Sequence, residues 1–191
     1  MFKISAEINE QDIKALMQTY SKDLVRKAIR SALDRTGTWG KNYLAADVSQ
    51  NYNLSTAKVK RATTVKRTTQ TNLEVTLSIK GKQLSMVDDF NAWQDRVGMK
   101  AYVRRDQLWG APHAFINRGR GSGKKVGMIR VGPKRYPTSG KPGRGPSIPM
   151  LVNRLSNREK RDSDLTNHLY KEMVDQIAKR TMGLSQVAET E

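Results

Sequence analysis

Cysteine is absent from this 191-residue chain, which excludes both disulfide frameworks and zinc sites built from thiolates. No apolar run approaches the roughly 20 residues that a membrane-spanning helix needs, and the N-terminal residues lack the apolar stretch of a signal peptide. We therefore expect a soluble protein, made in a cytoplasm and without a membrane partner. Aromatic residues form only 6% of the chain, so its core must consist mainly of Leu, Ile, Val, Met and Ala.

Acidic residues are missing from residues 107–158, although lysine and arginine are dense there. The whole chain carries a formal net charge of +17 at pH 7. A surface of one sign is suited to meet a polyanion or an acidic protein. The charge alone leaves two interpretations open, namely contact with nucleic acid and a basic subunit that sits beside acidic subunits.

Within this segment, two short apolar runs at residues 114–116 and 126–131 flank a stretch in which glycines alternate with basic residues. The pattern predicts a β-hairpin with a long cationic tip. Repeated Gly and Pro then predict an extended basic arm over residues 132–149, without helix or central strand. The candidate DNA-facing or partner-facing residues are Arg118, Arg120, Lys124, Lys125, Lys134, Arg135, Lys141 and Arg144.

The rest of the chain alternates between helical and strand periodicity. Apolar residues at helical spacing predict one long helix over residues 9–50, kinked near Gly37 and Gly40. Such a helix, about 60 Å long at 1.5 Å per residue, exceeds the width of a small domain and indicates an oligomer. Ser55 predicts the N-cap of a short helix over Thr56–Ala62. Helical periodicity returns from Met150 to about Gly183.

Alternating apolar and polar residues predict strands over residues 73–80 and 97–104, with residues 63–71 as the hairpin partner of the first. The fold class is therefore α+β: a long N-terminal helix, an antiparallel β-sheet of about four to five strands and a C-terminal helix, with a Gly/Pro-rich basic arm. We expect a single domain over residues 1–191. Its parts are the helix (1–52), the sheet (63–131), the arm (132–149) and the C-terminal helix (150–183).

The glycine-rich tip fails as a phosphate-binding loop. Arg118 stands where the first glycine of such a loop belongs, and Lys125 stands where Ser or Thr would bind magnesium. A flexible cationic tip is the favoured interpretation.

Catalytic residues do not form a complete set either. The only histidines are His113, predicted to be structural, and His168, predicted to lie on a charged helix face, and neither begins a recognisable triad. Asp88 and Asp89 are interpreted as solvated turn carboxylates rather than magnesium ligands, which makes a metal-dependent nuclease the least favoured function. We expect no enzymatic activity, no cofactor and no bound metal.

Several short motifs resemble, in their order and spacing, the minor tail protein Z family of long-tailed bacteriophages. The similarity covers about residues 28–155. The motifs are ALDRTG at residues 32–37, KRA at 60–62, GA at 110–111, AFI at 114–116, RYP at 135–137 and GPSIP at 145–149. The resemblance implies a non-enzymatic tail-completion protein at the head-proximal end of the tail, needed for head-tail joining and for passage of DNA.

The resemblance also implies partners and a location. It implies a homo-oligomeric ring in the virion tail, expected to be a hexamer that matches the tail tube. Neighbours would be the tail terminator, the tail tube and the head-tail connector, with DNA in the channel as a further candidate. Four arm residues are expected at the contact between subunits: Tyr136, Pro137, Ile148 and Pro149. The alternative function is a non-specific nucleic-acid-binding protein of the nucleoid or RNA-associated kind.

Overall fold

The computed structural model describes residues 2–4, 11, 18–69, 72–118, 123–130, 132, 138–139, 143–155 and 158–188. The chain folds into two compact units. The first unit comprises residues 1–43, 63–78 and 156–191, and the second comprises residues 44–62 and 79–155. The predicted α+β class is confirmed, since a long N-terminal helix, several small antiparallel sheets and a C-terminal helix are all present.

Apart from the first strand, the described strands lie between the two long helices in chain order. The helices are α1 (Lys22–Asn51), α2 (Thr56–Ala62), α3 (Met86–Phe90), α4 (Ile148–Asn153) and α5 (Arg158–Ala188). The strands are β1 (Phe2–Ile4), β2 (Thr63–Lys66), β3 (Thr76–Ile79), β4 (Gln83–Ser85), β5 (Trp93–Gln94), β6 (Gly98–Arg104), β7 (Gln107–Pro112), β8 (Ala114–Arg118), β9 (Lys125–Arg130), β10 (Thr138–Ser139) and β11 (Arg144–Ser147).

The described strands form separate small sheets and not the single sheet that the sequence predicts. Their orders are β1-β3-β2, β5-β6-β7, β10-β9-β8 and β11-β4. The reason lies in strands that the sequence pattern left unassigned. Because β5 and β7 pair with the two edges of β6, and β10 pairs with β9, the predicted strands never meet in one ladder.

The first unit is built around a helical core in which α1 and α5 contribute most of the apolar surface. The buried cluster consists of Val25, Ile29, Ala32, Leu33, Val75, Leu169 and Met173. Six of these seven residues lie on the apolar stripes of α1 and α5. Burial of such a stripe accounts for the helical spacing that the sequence shows.

The predicted single helix over residues 9–50 is wrong at its N-terminal end. Residues 18 and 19 are helical, but helical geometry stops at Tyr20 and Ser21, and α1 begins at Lys22. The Leu24 N–H donates to Ser21 Oγ at 3.4 Å. A serine side chain that accepts from an amide of the first turn is typical of a helix start, so Ser21 separates the two helical segments.

Glycines in α1 allow close packing and do not interrupt the helix, which runs through both predicted kink positions. A Cβ at Gly37 would lie 2.6 Å from Val75 Cγ1 and 2.9 Å from Val65 Cγ1. A Cβ at Gly40 would lie 2.8 Å from Leu165 Cδ2. The missing side chains therefore let the sheet and α5 approach the α1 backbone.

The second unit contains the β6–β7 ladder and the basic hairpin. The turn between β5 and β6 is held by Asp95, whose Oδ1 accepts the N–H groups of Val97 at 2.8 Å and Gly98 at 3.0 Å. Lys100 Nζ lies 2.5 Å from Asp95 Oδ2. The hydrogen bond with Lys100, followed by those with Gly98 and Val97, lowers the pKa of Asp95 to about 2.

Part of the predicted arm is regular structure. Residues 138–139 form β10, residues 144–147 form β11, and α4 begins at Ile148 with Pro149 in its first turn. The predicted absence of a helix over residues 132–149 is therefore wrong at Ile148 and Pro149. Strands β10 and β11 are both outer strands of their sheets, so they agree with the predicted absence of a central strand. Proline is compatible with a strand at the edge of a sheet and with the first turn of a helix, where its missing N–H costs no hydrogen bond.

The C-terminal helical region is likewise divided. The predicted helix over residues 150–183 consists of the end of α4 and most of α5, separated at Arg154 and Leu155. The polar run at residues 158–164 forms the first turns of α5.

Candidate basic interface

The predicted basic hairpin is confirmed, with β8 and β9 in antiparallel register from Ala114 opposite Ile129 to Arg118 opposite Lys125. Residues 119–122 of its tip lie outside the described residues. The last described cross-strand pair, Arg118 and Lys125, places two cations directly opposite each other. Like charges in this position destabilise a hairpin, by an amount on the order of 0.2–1 kcal/mol.

No carboxylate of the described chain neutralises this pair. Arg118 and Lys125 are exposed, and neither belongs to an ion pair among the described residues. Lys124 is also exposed and follows Gly123, whose φ of 62° places it in the left-handed region. An anion that approached this end of the hairpin would meet Arg118 and Lys125 and relieve their mutual repulsion.

The base of the hairpin is fixed, in contrast to its charged end. The Ile116 N–H donates to Gln94 Oε1 at 2.9 Å, and the Arg130 guanidinium lies over the Phe115 ring, 5.9 Å from its centroid. A Cβ at Gly127 would lie 2.9 Å from Gly143 Cα. The two backbones thus approach too closely for any side chain, and the chain before β11 is held against the hairpin.

Seven further predicted site residues fall into two groups. Arg144 is described and exposed, as the first residue of β11 opposite Ser85. Six others lie outside the described residues: Arg120, Lys134, Arg135, Tyr136, Pro137 and Lys141. Their DNA-facing or partner-facing roles stay predictions.

Two predicted inter-subunit residues, Ile148 and Pro149, pack within their own unit. Ile148 is only 3% exposed, and Pro149 is half-buried. A Cβ at Gly81 would lie 3.6 Å from Pro149 Cδ and 3.8 Å from Ile148 Cβ. Because Ile148 offers almost no surface to a neighbour, the predicted arm contact depends on Tyr136 and Pro137.

The two histidines differ from the prediction in exposure: the His113 side chain is not buried as a structural histidine, and His168 lies on a helix beside charged residues, as predicted, but is half-buried. His113 is exposed, adopts a left-handed φ of 60° between β7 and β8, and donates its backbone N–H to the Val97 carbonyl at 2.9 Å. His168 is half-buried, with its ring stacked on Trp39 at 4.3 Å and Nδ1 3.4 Å from Thr36 Oγ1. Burial lowers the pKa of His168 below its usual value near 6.5.

Asp89 is not the solvated turn carboxylate that the sequence predicts. Its side chain is 7% exposed, forms an ion pair with Lys58, and accepts the Ser85 N–H at 2.6 Å. Ser85 Oγ in turn accepts the Asp88 N–H at 3.1 Å, while Asp88 itself is exposed. This reciprocal cap satisfies amides at the start of α3, so the Asp89 side chain has a structural role, whereas the Asp88 carboxylate is exposed as predicted.

A polar cavity of about 430 Å³ in the first unit escaped sequence analysis. Charged groups from α1 and α5 line it, including Asp34, Arg35, His168 and Glu172. Asp34 Oδ1 accepts both the N–H and the hydroxyl of Thr68, at 3.0 and 3.1 Å, and Arg35 lies 3.6 Å from Glu172. These contacts join the helices and the strand region, which gives the cluster a structural role.

The described residues contain no group of three or more His, Asp or Glu side chains arranged to hold a metal ion. A search of the same residues finds no helix with the length and apolar character required to cross a membrane. Comparison of the chain with protein-family models, with curated proteins and with solved structures found no match.

Proposed function

We propose that this chain is a structural tail-completion protein of a long-tailed bacteriophage. In this proposal it forms a ring at the head-proximal end of the tail and takes part in head-tail joining and DNA passage. Two lines of argument support the proposal. The ordered motifs of residues 28–155 resemble the minor tail protein Z family, and the basic surface is built in a way that suits passing DNA.

The observation that carries the proposal is the cross-strand pair of Arg118 and Lys125 at the open end of a hairpin with a fixed base. Two unneutralised like charges lower the stability of the isolated hairpin. A phosphate backbone offsets this repulsion without requiring any base sequence. A ring whose hairpins point to the channel would therefore let DNA of any sequence pass.

The proposed ring predicts an assembly of several chains. Subunits in a ring contact each other through two different surfaces, and closure leaves neither surface free. Light scattering on the purified chain, alone and with neighbouring tail proteins, measures the assembly. A multiple of the 21.6 kDa chain mass supports the ring, whereas a monomer under both conditions that still binds DNA favours the nucleic-acid-binding alternative.

The contact with DNA is tested by a salt titration. If Arg118, Arg120, Lys124 and Lys125 each contact one phosphate, log affinity falls against log salt with a slope of roughly −3.6, from about −0.9 per contact. Replacing all four by Gln should remove most of that slope without affecting folding.

The matched control carries Gln at four exposed lysines outside the hairpin, so both variants lose the same charge. These are Lys82, Lys160, Lys171 and Lys179. The control should keep the hairpin contribution to the slope. Equal slopes for the two variants, or a slope near zero for the unmodified chain, would remove DNA contact from the proposed function.

A further inference from the structure

An open groove of about 800 Å³ lies within the second unit, apart from the hairpin tip. Strand β7 forms one side, and strand β11 with helix α4 forms the other. Its volume falls in the range of ligand pockets, roughly 300–1,000 Å³. The residues that matter for the argument are Arg104, Leu108, Trp109, Arg144, Met150 and Arg154.

The charged side chains that line this groove are arginines. Among the described residues, its lining includes three arginines and no carboxylate. Arg104 is already paired with Asp106, with Nε 3.2 Å from Oδ1. Arg144 and Arg154 are exposed, and neither belongs to an ion pair among the described residues. Two guanidinium groups are therefore available to bind carboxylates, which they can hold through paired N–H donors.

An edge strand of a sheet lies on each side of the groove. Strand β7 is the outer strand of the order β5-β6-β7, and β11 is the outer strand of the pair β11-β4. Among the described strands, each has one partner only. An edge strand presents N–H and C=O groups that an added extended segment can pair with.

Exposed apolar side chains also line the groove. Leu108 is 46% exposed and Met150 is 45% exposed, and Trp109 is half-buried beside Leu108. Apolar surface left open at the wall of a groove is typical of a contact site. Because side chains of an extended segment alternate in direction, one segment can direct carboxylates to the arginines and apolar groups to Leu108 and Met150.

We infer that this groove binds an extended acidic segment of a partner protein, in which carboxylate and apolar residues alternate. The segment adds as a strand to the free edge of β7 or β11, and its carboxylates pair with Arg144 and Arg154. The site differs from the hairpin tip and does not depend on the proposed function. It gives the basic segment a protein ligand in addition to any contact with phosphate.

The test uses an acetylated octapeptide of alternating Glu and Val, labelled with fluorescein, and measures its binding to the full chain by fluorescence anisotropy. Saturable binding is expected, whereas the matching peptide of alternating Lys and Val should not bind. Replacing Arg144 and Arg154 together by Gln should weaken binding about tenfold or more, the equivalent of losing a charge-assisted hydrogen bond. Replacing Arg118 and Lys125 by Gln is the control with the same loss of charge and should leave binding unchanged.

A second pair of measurements separates strand addition from simple charge attraction. N-methylation of two consecutive central residues of the peptide, one Glu and one Val, removes a pairing N–H from each edge and should weaken binding, while the charge stays the same. Replacing Leu108 by Ser should also weaken binding, whereas circular dichroism should show that every variant is folded.

Three outcomes would overturn the inference. They are an absence of saturable binding of the Glu-Val peptide, equal losses in the Arg144/Arg154 and Arg118/Lys125 variants, and an N-methylated peptide that binds as well as the unmodified one. Tighter binding of a short oligothymidylate at the same arginines would assign the groove to nucleic acid instead of protein.

Discussion

Alanine substitution at the two glycines of α1 distinguishes helix propensity from packing. In an exposed helix, Gly→Ala stabilises by about 1 kcal/mol. At Gly37 the new Cβ would lie 2.6 Å from Val75 Cγ1 and 2.9 Å from Val65 Cγ1. Both neighbours are β-branched and have little rotamer freedom, so overpacking should cost about 1–3 kcal/mol. The sum predicts that Gly37→Ala lowers the free energy of unfolding by about 0–2 kcal/mol.

Gly40 provides the matched comparison in the same helix. Its nearest neighbour, at 2.8 Å, is Leu165 Cδ2, the end of a longer side chain that can rotate away. The packing cost should therefore lie near the lower limit of about 1 kcal/mol, and the helix propensity offsets it. Gly40→Ala is expected to be close to neutral and more stable than Gly37→Ala by about 1 kcal/mol.

Urea unfolding followed by circular dichroism measures both variants. A double-mutant cycle with Val75→Ala identifies the cause, because removing the Val75 methyl groups should relieve most of the overpacking at Gly37. A coupling energy near zero, or a Gly37→Ala variant that gains about 1 kcal/mol as propensity alone predicts, would refute the packing argument.

Further predictions concern polar groups in the two units. The lowered pKa of His168 means that the folded state binds fewer protons than the unfolded state just below pH 6.5. The free energy of unfolding should therefore fall as pH drops from about 6.5 toward the folded pKa, and His168→Phe, which keeps a ring against Trp39, should flatten that dependence in pH-resolved urea titrations. Tyr43→Phe removes the 2.6 Å hydrogen bond to Asp164 and should cost about 1 kcal/mol by thermal unfolding; no change would show that water replaces it. Asp89→Asn should cost about 1–2 kcal/mol, because a buried charge-assisted cap is lost, and an unchanged melting temperature would contradict that role.

Local signals in the sequence predicted the elements that depend on local interactions. Helix α2 has the predicted bounds, and the β8–β9 hairpin has both predicted strands. Helix α3 is not among the predicted elements, because a hydrogen-bonded cap decides that it forms: Ser85 Oγ accepts the Asp88 N–H, and Asp89 Oδ2 accepts the Ser85 N–H. Such a cap depends on hydrogen bonds that composition and periodicity do not reveal.

Tertiary partners decided the features that the sequence could not predict. From the sequence alone, Gly37 is expected to weaken the helix, but its contacts with Val75 and Val65 show that it allows close packing. Asp89 is likewise expected to be a solvated carboxylate, but it forms an ion pair with Lys58. The groove between β7 and β11 with α4 brings residues near 104 together with residues near 150. Periodicity in the sequence cannot predict a contact between residues so far apart in the chain. By contrast, Arg118, Lys125 and Arg144 lie exposed, because an acid-free segment leaves little to bury them, while their DNA-facing or partner-facing role stays a prediction.

The central claim, a structural role in completing a phage tail, is tested most directly by electron microscopy of particles made from the genome that encodes this chain. After deletion of its coding sequence, the account predicts full heads and tails that fail to join productively, with joining restored when the unmodified chain is supplied. Joined, infectious particles in normal yield without the chain would contradict the account.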